Sequence, residues 1–217
     1  MSDRQNIFLA VIGLFILAFF IFLASIIKEP VITDLDIRIS RAFSFWRPVW
    51  LTTTFKFITA FGSFAIAGLL AIVFSAILWQ RHKRVEAIFL MISIASVLMI
   101  DPLKSLISRP RPDAAIIGFV PIEMGGFSFP SGHSVLSSSV YGFLLVIIII
   151  DLRGRLRIAA ASFLLVSIIL IGLSRIYLGA HYLSDVIGGL LLGSAWCVFL
   201  TILFFYILKK KDHGHFQ

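Results

Sequence analysis

Long uncharged apolar runs alternate with short charged turns along most of the 217 residues. A bilayer core about 30 Å thick is crossed by about 20 helical residues. Ile7–Ile27, Phe57–Trp79, Val85 to about Ile107, His133–Ile150, Ile158 to about Leu173 and Val186–Leu208 are stretches of that kind. The third carries Asp101 and Lys104 at its far end, and the fifth is shorter than the rest. All seven prolines fall between Pro30 and Pro130, and none lies in the first, second, fourth, fifth or sixth stretch. Proline removes a backbone hydrogen bond, so that placement suits helices. The pattern predicts an all-α, polytopic bundle of six transmembrane helices, a single domain over residues 1–217. The first run is too long for a signal-peptide core and no small-residue cleavage site follows it, so an uncleaved helix is expected.

The 28–56 connection is too long for a tight turn. Thr33 and Asp34 are candidate N-caps, and Leu35, Ile39 and Ala42 or Phe43 follow at helical spacing. With Trp46 and Trp50 beyond, the segment predicts a helix lying in the membrane interface between the first two spans. It would serve as an anchor, or as a lid that guides a lipid.

Composition sharpens this picture. AVILMFWYC residues make up 59% of the chain and charged residues only 14%, against about 25% charged in an average soluble domain. A globule of this size has too little interior for that much apolar surface, which excludes an ordinary soluble protein and a disordered one. The net charge of +8 then reads as loops beside anionic headgroups, not as a nucleic-acid surface. Arg4, the Gln80–Arg84 turn, the Asp151–Arg157 turn and Lys209–Lys211 fall on one side if six spans alternate. Lysine and arginine concentrate in cytoplasmic loops, so both termini are expected in the cytoplasm, with the protein in the cytoplasmic (inner) membrane. Cys197 is the single cysteine, so no intramolecular disulfide forms.

Three groups of polar residues remain, all at span ends on the opposite, outer side. Lys104 and Arg111 are seven apart, roughly one helical face if the helix persists, with Pro110 and Pro112 ending it. Such cations bind phosphate oxygens or snorkel to headgroups. Next, Pro130-Ser131-Gly132-His133 opens the fourth span. A Ser-Gly step there exposes backbone N–H groups to an anion, although Ser131 would also serve as a plain cap. His133, Ser137 and Tyr141 continue as a polar stripe. Last, Ser174-Arg175 precedes His181 and Asp185, which are spaced i, i+4 with Gly189 and Gly193 below them on the same face. An aspartate so placed orients an imidazole or forms a structural polar pair. Together, three cations, an anion-friendly helix start and two histidines describe a phosphate site. A metal on His133, His181 and Asp185 is the rival use, disfavoured by the repulsion of Lys104, Arg111 and Arg175.

Lys104-x6-Arg111-Pro112, Pro130-Ser131-Gly132-His133 and Ser174-Arg175-x5-His181-x3-Asp185 resemble, in order and spacing, the signature of the type-2 phosphatidate phosphatase family. The soluble haloperoxidases share that signature, but this composition excludes them. The resemblance implies a membrane lipid phosphatase like the bacterial enzymes acting on phosphatidylglycerophosphate, phosphatidate or undecaprenyl pyrophosphate. It implies His181 as a nucleophile forming phosphohistidine, Asp185 orienting it, and His133 as general acid and base. Lys104, Arg111 and Arg175 would bind phosphate oxygens, assisted by Ser131 and the Gly132 N–H. No metal or cofactor is implied. A transporter or flippase for a phosphorylated lipid is the alternative, because buried charges also line substrate paths.

Overall fold

The computed structural model describes residues 3–123 and 125–214, and every regular element among them is helical, apart from an isolated bridge between Pro110 and Phe127. Among these residues five helices are long and apolar enough to cross a membrane, or six if one bent pair counts as a single span. The first helix, α1 (Asp3–Ile26), turns Phe8, Leu14 and Phe15 outward and lies along the last helix, α11 (Leu183–Gly214).

A straight second span over Phe57–Trp79 is expected, but two helices stand in its place. These are α3 (Val49–Ala60) and α4 (Phe64–Gln80), bent by 53°. The cause lies in two residues hidden inside the apolar run. Ser63 caps α4, its hydroxyl accepting the Ile66 N–H at 3.3 Å, and Gly62 lets the chain press on its neighbours. A Cβ there would lie 2.5 Å from Ile171 and 3.0 Å from the His133 ring.

Between α1 and α3 runs α2 (Pro30–Ala42). It starts earlier than the expected caps Thr33 and Asp34, because Pro30 occupies the first turn, where its missing N–H costs nothing. Its buried side is also polar: Asp36 and Ser40 are enclosed while Leu35 is exposed. Of the apolar set, Leu35 and Ala42 are exposed, while Ile39 and Phe43 are half-buried and Phe43 packs against Tyr177. Trp46 and Trp50 pack edge to face at 5.8 Å on the outer surface.

The third span is α5 (Arg84–Ser93), a 3-10 stretch (Ile94–Met99) and α6 (Ile100–Ile107). A one-turn helix, α7 (Ala114–Ile117), follows in the loop beyond it. The fourth span is α8 (Gly132–Leu136), a π-helical turn (Ser137–Tyr141) and α9 (Gly142–Asp151). Ser139 in that turn donates to the Ser93 carbonyl at 2.6 Å, and the Tyr141 hydroxyl donates to the Phe61 carbonyl at 2.5 Å.

The fifth span, α10 (Gly154–Tyr177), is a full 24 residues. The expectation of Ile158 to about Leu173 is too short at both ends. Arg155 and Arg157 are exposed and ride on the first turn, while Arg175 is drawn into the protein instead of ending the helix. At the end of the bundle holding the 81–84 and 151–154 turns, Lys83 pairs with Asp151.

Two apolar clusters hold the bundle together. Phe89, Phe143 and Phe204 form a triangle with centroids 6.0, 5.6 and 5.7 Å apart. Phe20, Ile27, Ile100, Phe129 and Val135 fill a second cluster between α1, α6 and α8. Helix α11 then meets α8 backbone to backbone. A Cβ on Gly189 would lie 2.5 Å from the Ser131 carbonyl oxygen, and one on Gly193 would collide with the Val135 carbonyl. Gly189→Ala is therefore expected to force α8 outward and lower stability by about 1–3 kcal/mol, the usual cost of overpacking. Thermal unfolding in detergent checks this.

Candidate active site

Four segments converge at the end of the bundle opposite the Lys83–Asp151 pair: the end of α6, the 108–131 loop with the first turn of α8, the end of α10, and the turn before α11. Lys104 stands on the last turn of α6. That helix ends at Ile107, and Ser108 adopts a left-handed conformation (φ 51°). Arg111 is therefore not on a shared helical face with Lys104. The chain reverses, Pro110 bridges Phe127, and Arg111 returns over the site from the loop.

Arg175, 1% exposed, reaches back from α10 and donates to Thr59 of α3 at 2.8 Å. Its other terminal nitrogen pairs with Glu123, whose second carboxylate oxygen lies 2.9 Å from Arg111 Nη1. One carboxylate thus spans two guanidinium groups. Burial works to raise the Glu123 carboxyl, but Arg175 and Arg111 more than offset it and hold it below the ordinary value. Lys104 and His133 lie within electrostatic reach of the same cluster.

His181 and Asp185 do not share a helical face, because α11 begins only at Leu183 and His181 sits in the turn before it. The cause is a capping arrangement. Asp185, at the third helical position, accepts the Tyr182 N–H at 2.8 Å and so ends the helix there. His181 Nδ1 lies 3.7 Å from Asp185 Oδ2, and its Nε2 lies 3.3 Å from Arg111 Nη1. The ring is almost fully enclosed. Burial outweighs the pull of Asp185 and, with Arg175 and Arg111, lowers its pKa to about 4. At neutral pH it is an uncharged base.

Ser131 is the N-cap of α8, yet its side chain makes no capping bond, and its backbone N–H is given to the Asp185 carbonyl at 3.0 Å. Its hydroxyl is buried without a hydrogen-bonding partner among the described residues, as are Arg111 Nε and Arg175 Nε. Gly132 and His133 form the first turn of α8 beside it. Ser137 and Tyr141 of the expected stripe are buried deeper in the bundle. No group of three His, Cys, Asp or Glu side chains among the described residues is arranged to hold a metal ion.

Sequence reasoning missed a second layer. Arg109 is buried and donates to Asp185 Oδ1 at 2.6 Å, Ser184 Oγ at 2.8 Å and Asp36 Oδ2 at 2.7 Å. Asp36 in turn accepts the Ser184 N–H at 3.0 Å, so α2 supplies a cap for α11 from outside that helix. Glu123, Thr59 and Ser128 were missed as well. The available signals were Arg109 beside Arg111 in Arg-Pro-Arg-Pro, and Ser128 one residue ahead of Phe129.

Several known proteins resemble this chain. Phosphatidylglycerophosphatase B of Bacillus subtilis (strain 168) is 28% identical over 197 residues, covering 89% of this chain and 91% of that protein. A lipid A 1-phosphatase of Rhizobium johnstonii is 36% identical over 118 residues, 52% of this chain and 44% of its own. The crystal structure of a transmembrane PAP2-type phosphatidylglycerolphosphate phosphatase from Bacillus subtilis superposes with a TM-score of 0.79 at 28% identity, covering 87% of this chain and 94% of the other. With its helices, these relatives mark a multi-pass membrane protein. The model of the PAP2 superfamily matches residues 85–209, a stretch that carries Lys104, Arg111, His133, Arg175, His181 and Asp185 together, and the chain belongs to that superfamily.

Proposed function

We propose that the protein is a metal-independent lipid phosphate phosphatase, working through a phosphohistidine on His181 at the outer face of the cytoplasmic membrane. The observation that carries this reading is the carboxylate of Glu123 held between Arg175 and Arg111, next to His181 Nε2. The cradle already holds an oxyanion of the kind it would take from substrate. A phosphate in that place would meet two guanidinium forks, and the idle donors of Ser131, Arg111 and Arg175 would gain acceptors. Lys104 and the Gly132 N–H complete the charge stabilisation on which phosphoryl transfer depends.

In this reading the His181 lone pair attacks phosphorus while His133 protonates the departing alcohol or phosphate. His133 then takes a proton from water as water displaces His181. Asp185 steadies the imidazolium. The substrate is a monophosphate or pyrophosphate of a membrane lipid, phosphatidylglycerophosphate, phosphatidate and undecaprenyl pyrophosphate being the class represented. Phosphate release from these lipids in detergent tests the reading and separates hydrolysis from transport of the intact lipid. Release is expected to persist in EDTA and to be blocked by vanadate; loss in EDTA with recovery on magnesium or zinc would overturn the mechanism.

Sidedness has its own test. In a Cys197→Ala background, a cysteine at exposed Ser108 is expected to react with an impermeant thiol reagent added to intact cells. Cysteines at His82 or Arg155, exposed at the other end, are expected to stay protected. The reverse pattern would turn the site to the cytoplasm.

A further inference from the structure

The aspartate that should orient His181 does not touch it. A separation of 3.7 Å is beyond hydrogen-bonding distance, and both carboxylate oxygens are already engaged. Oδ1 is held by Arg109 at 2.6 Å, and Oδ2 by the Tyr182 N–H at 2.8 Å. Arg109 is itself pinned by Asp36 and rests on the Tyr182 ring, 4.6 Å from its centroid. Asp36, Arg109, Ser184 and Asp185 are all buried. A carboxylate held at both oxygens in a close-packed interior has little room to swing toward the imidazole.

The gap is filled by the hydroxyl of Ser128, itself fully buried. Its Oγ lies 2.5 Å from Asp185 Oδ2 and 3.3 Å from His181 Nδ1. A hydroxyl has one proton to give, and an ionised carboxylate only accepts. The Ser128 proton therefore goes to Asp185, which leaves an oxygen lone pair facing Nδ1. A neutral imidazole satisfies that lone pair only with its proton on Nδ1. Its own lone pair is then on Nε2, the nitrogen facing Arg111 and the cradle.

We propose that Ser128 is a positioning residue for His181, its hydroxyl linking the Asp185 carboxylate to Nδ1 and fixing the tautomer that leaves Nε2 free to attack. The proposal rests on His181 being the nucleophile. In the transfer step, the Nε2 lone pair forms the N–P bond as the bond from phosphorus to the leaving oxygen breaks, and that oxygen takes its proton from His133. The Nδ1 proton stays, hydrogen-bonded to Ser128, while the ring carries the positive charge. When water attacks, the N–P electron pair returns to Nε2, the water proton passes to His133, and the starting tautomer is restored. The interposed hydroxyl also keeps Asp185 at a distance. The imidazole otherwise faces Arg175, Arg111, Glu123 and His133, which fits a ring that stays uncharged before attack.

The test uses the full-length protein in detergent, with radiolabelled phosphate substrate and rapid quenching. Ser128→Ala is expected to slow phosphorylation of His181 by about 10–100-fold, by analogy with loss of the outer partner of a metal-binding imidazole, with KM little changed. Ser128→Thr, which keeps the hydroxyl, is expected to restore most of the rate. Nitrogen-15 NMR of labelled histidine, assigned with His181→Ala, should show the Nδ1–H tautomer in the wild type and its loss in Ser128→Ala. A wild-type phosphorylation rate in Ser128→Ala, or a slowed one with the tautomer intact, overturns the role of Ser128. Absence of label on His181 in the wild type instead overturns the nucleophile assignment beneath it.

Discussion

His181→Ala is expected to remove both the covalent intermediate and nearly all phosphate release, a loss of at least about 10³-fold in kcat, as when other enzymic nucleophiles are deleted. No second histidine can take over. His133 lies on a different element, at the start of α8, and it lacks the Ser128–Asp185 support behind His181. His133→Ala should behave differently, with its effect depending on the leaving group. p-Nitrophenyl phosphate departs without a proton and should be least affected, whereas an alkyl phosphate should be most affected. Acid-labile label found on His133, or label persisting in His181→Ala, would reverse the two roles. Asp185→Asn should fall between these cases, since an amide keeps the shape but not the charge that steadies the ring.

Arg175→Ala carries the next largest expected effect. Its guanidinium is the most enclosed of the cations in the cradle, tied to Thr59 and Glu123. Truncating one partner of a buried charge pair typically costs 2–5 kcal/mol, part of it from the charge left behind. Here the stranded group is Glu123, which keeps only Arg111 and repels an incoming phosphate. A fall in kcat/KM of roughly 30- to 5,000-fold follows from that range, together with weaker inhibition by vanadate. Arg175→Lys should recover only part of this, because an ammonium cannot reach Thr59 and an oxyanion with a planar fork. Activity near wild type in Arg175→Ala would place the phosphate elsewhere.

The apolar runs foretold most of the long helices, because charge is costly in hydrocarbon and its absence marks a candidate span. They were silent on breaks made by small residues. Gly62 and Ser63 look like part of a span, yet they bend it by 53°, because what matters there is the nearness of Ile171 and His133. The polar residues that the structure gathers at one end were legible in part, because cations, histidines and helix starts stand out in an apolar chain. Their geometry was less so. Lys104 and Arg111 meet across a chain reversal, and His181 stands outside the helix that carries Asp185. The supporting layer was hidden for a different reason. Asp36 lies 73 residues from Arg109 and 148 from Ser184, and no local spacing rule relates positions so far apart. The apolar side of α2 drew attention away from its buried carboxylate.

The Ser131 and Val135 carbonyls and the small side chains of Ser134 and Ser138 are seated against Gly189 and Gly193, so little separates the backbones of α8 and α11 there. A tilt of α11 in response to a thicker or thinner bilayer is passed straight to the turn that bears His133. Under the proposed mechanism the start of α8, with His133, and the turn before α11, with His181, are then expected to shift together as one gauge. Changing the bilayer alters how deeply that gauge is immersed among the headgroups, while the interval it sets across a phosphorus atom stays the same.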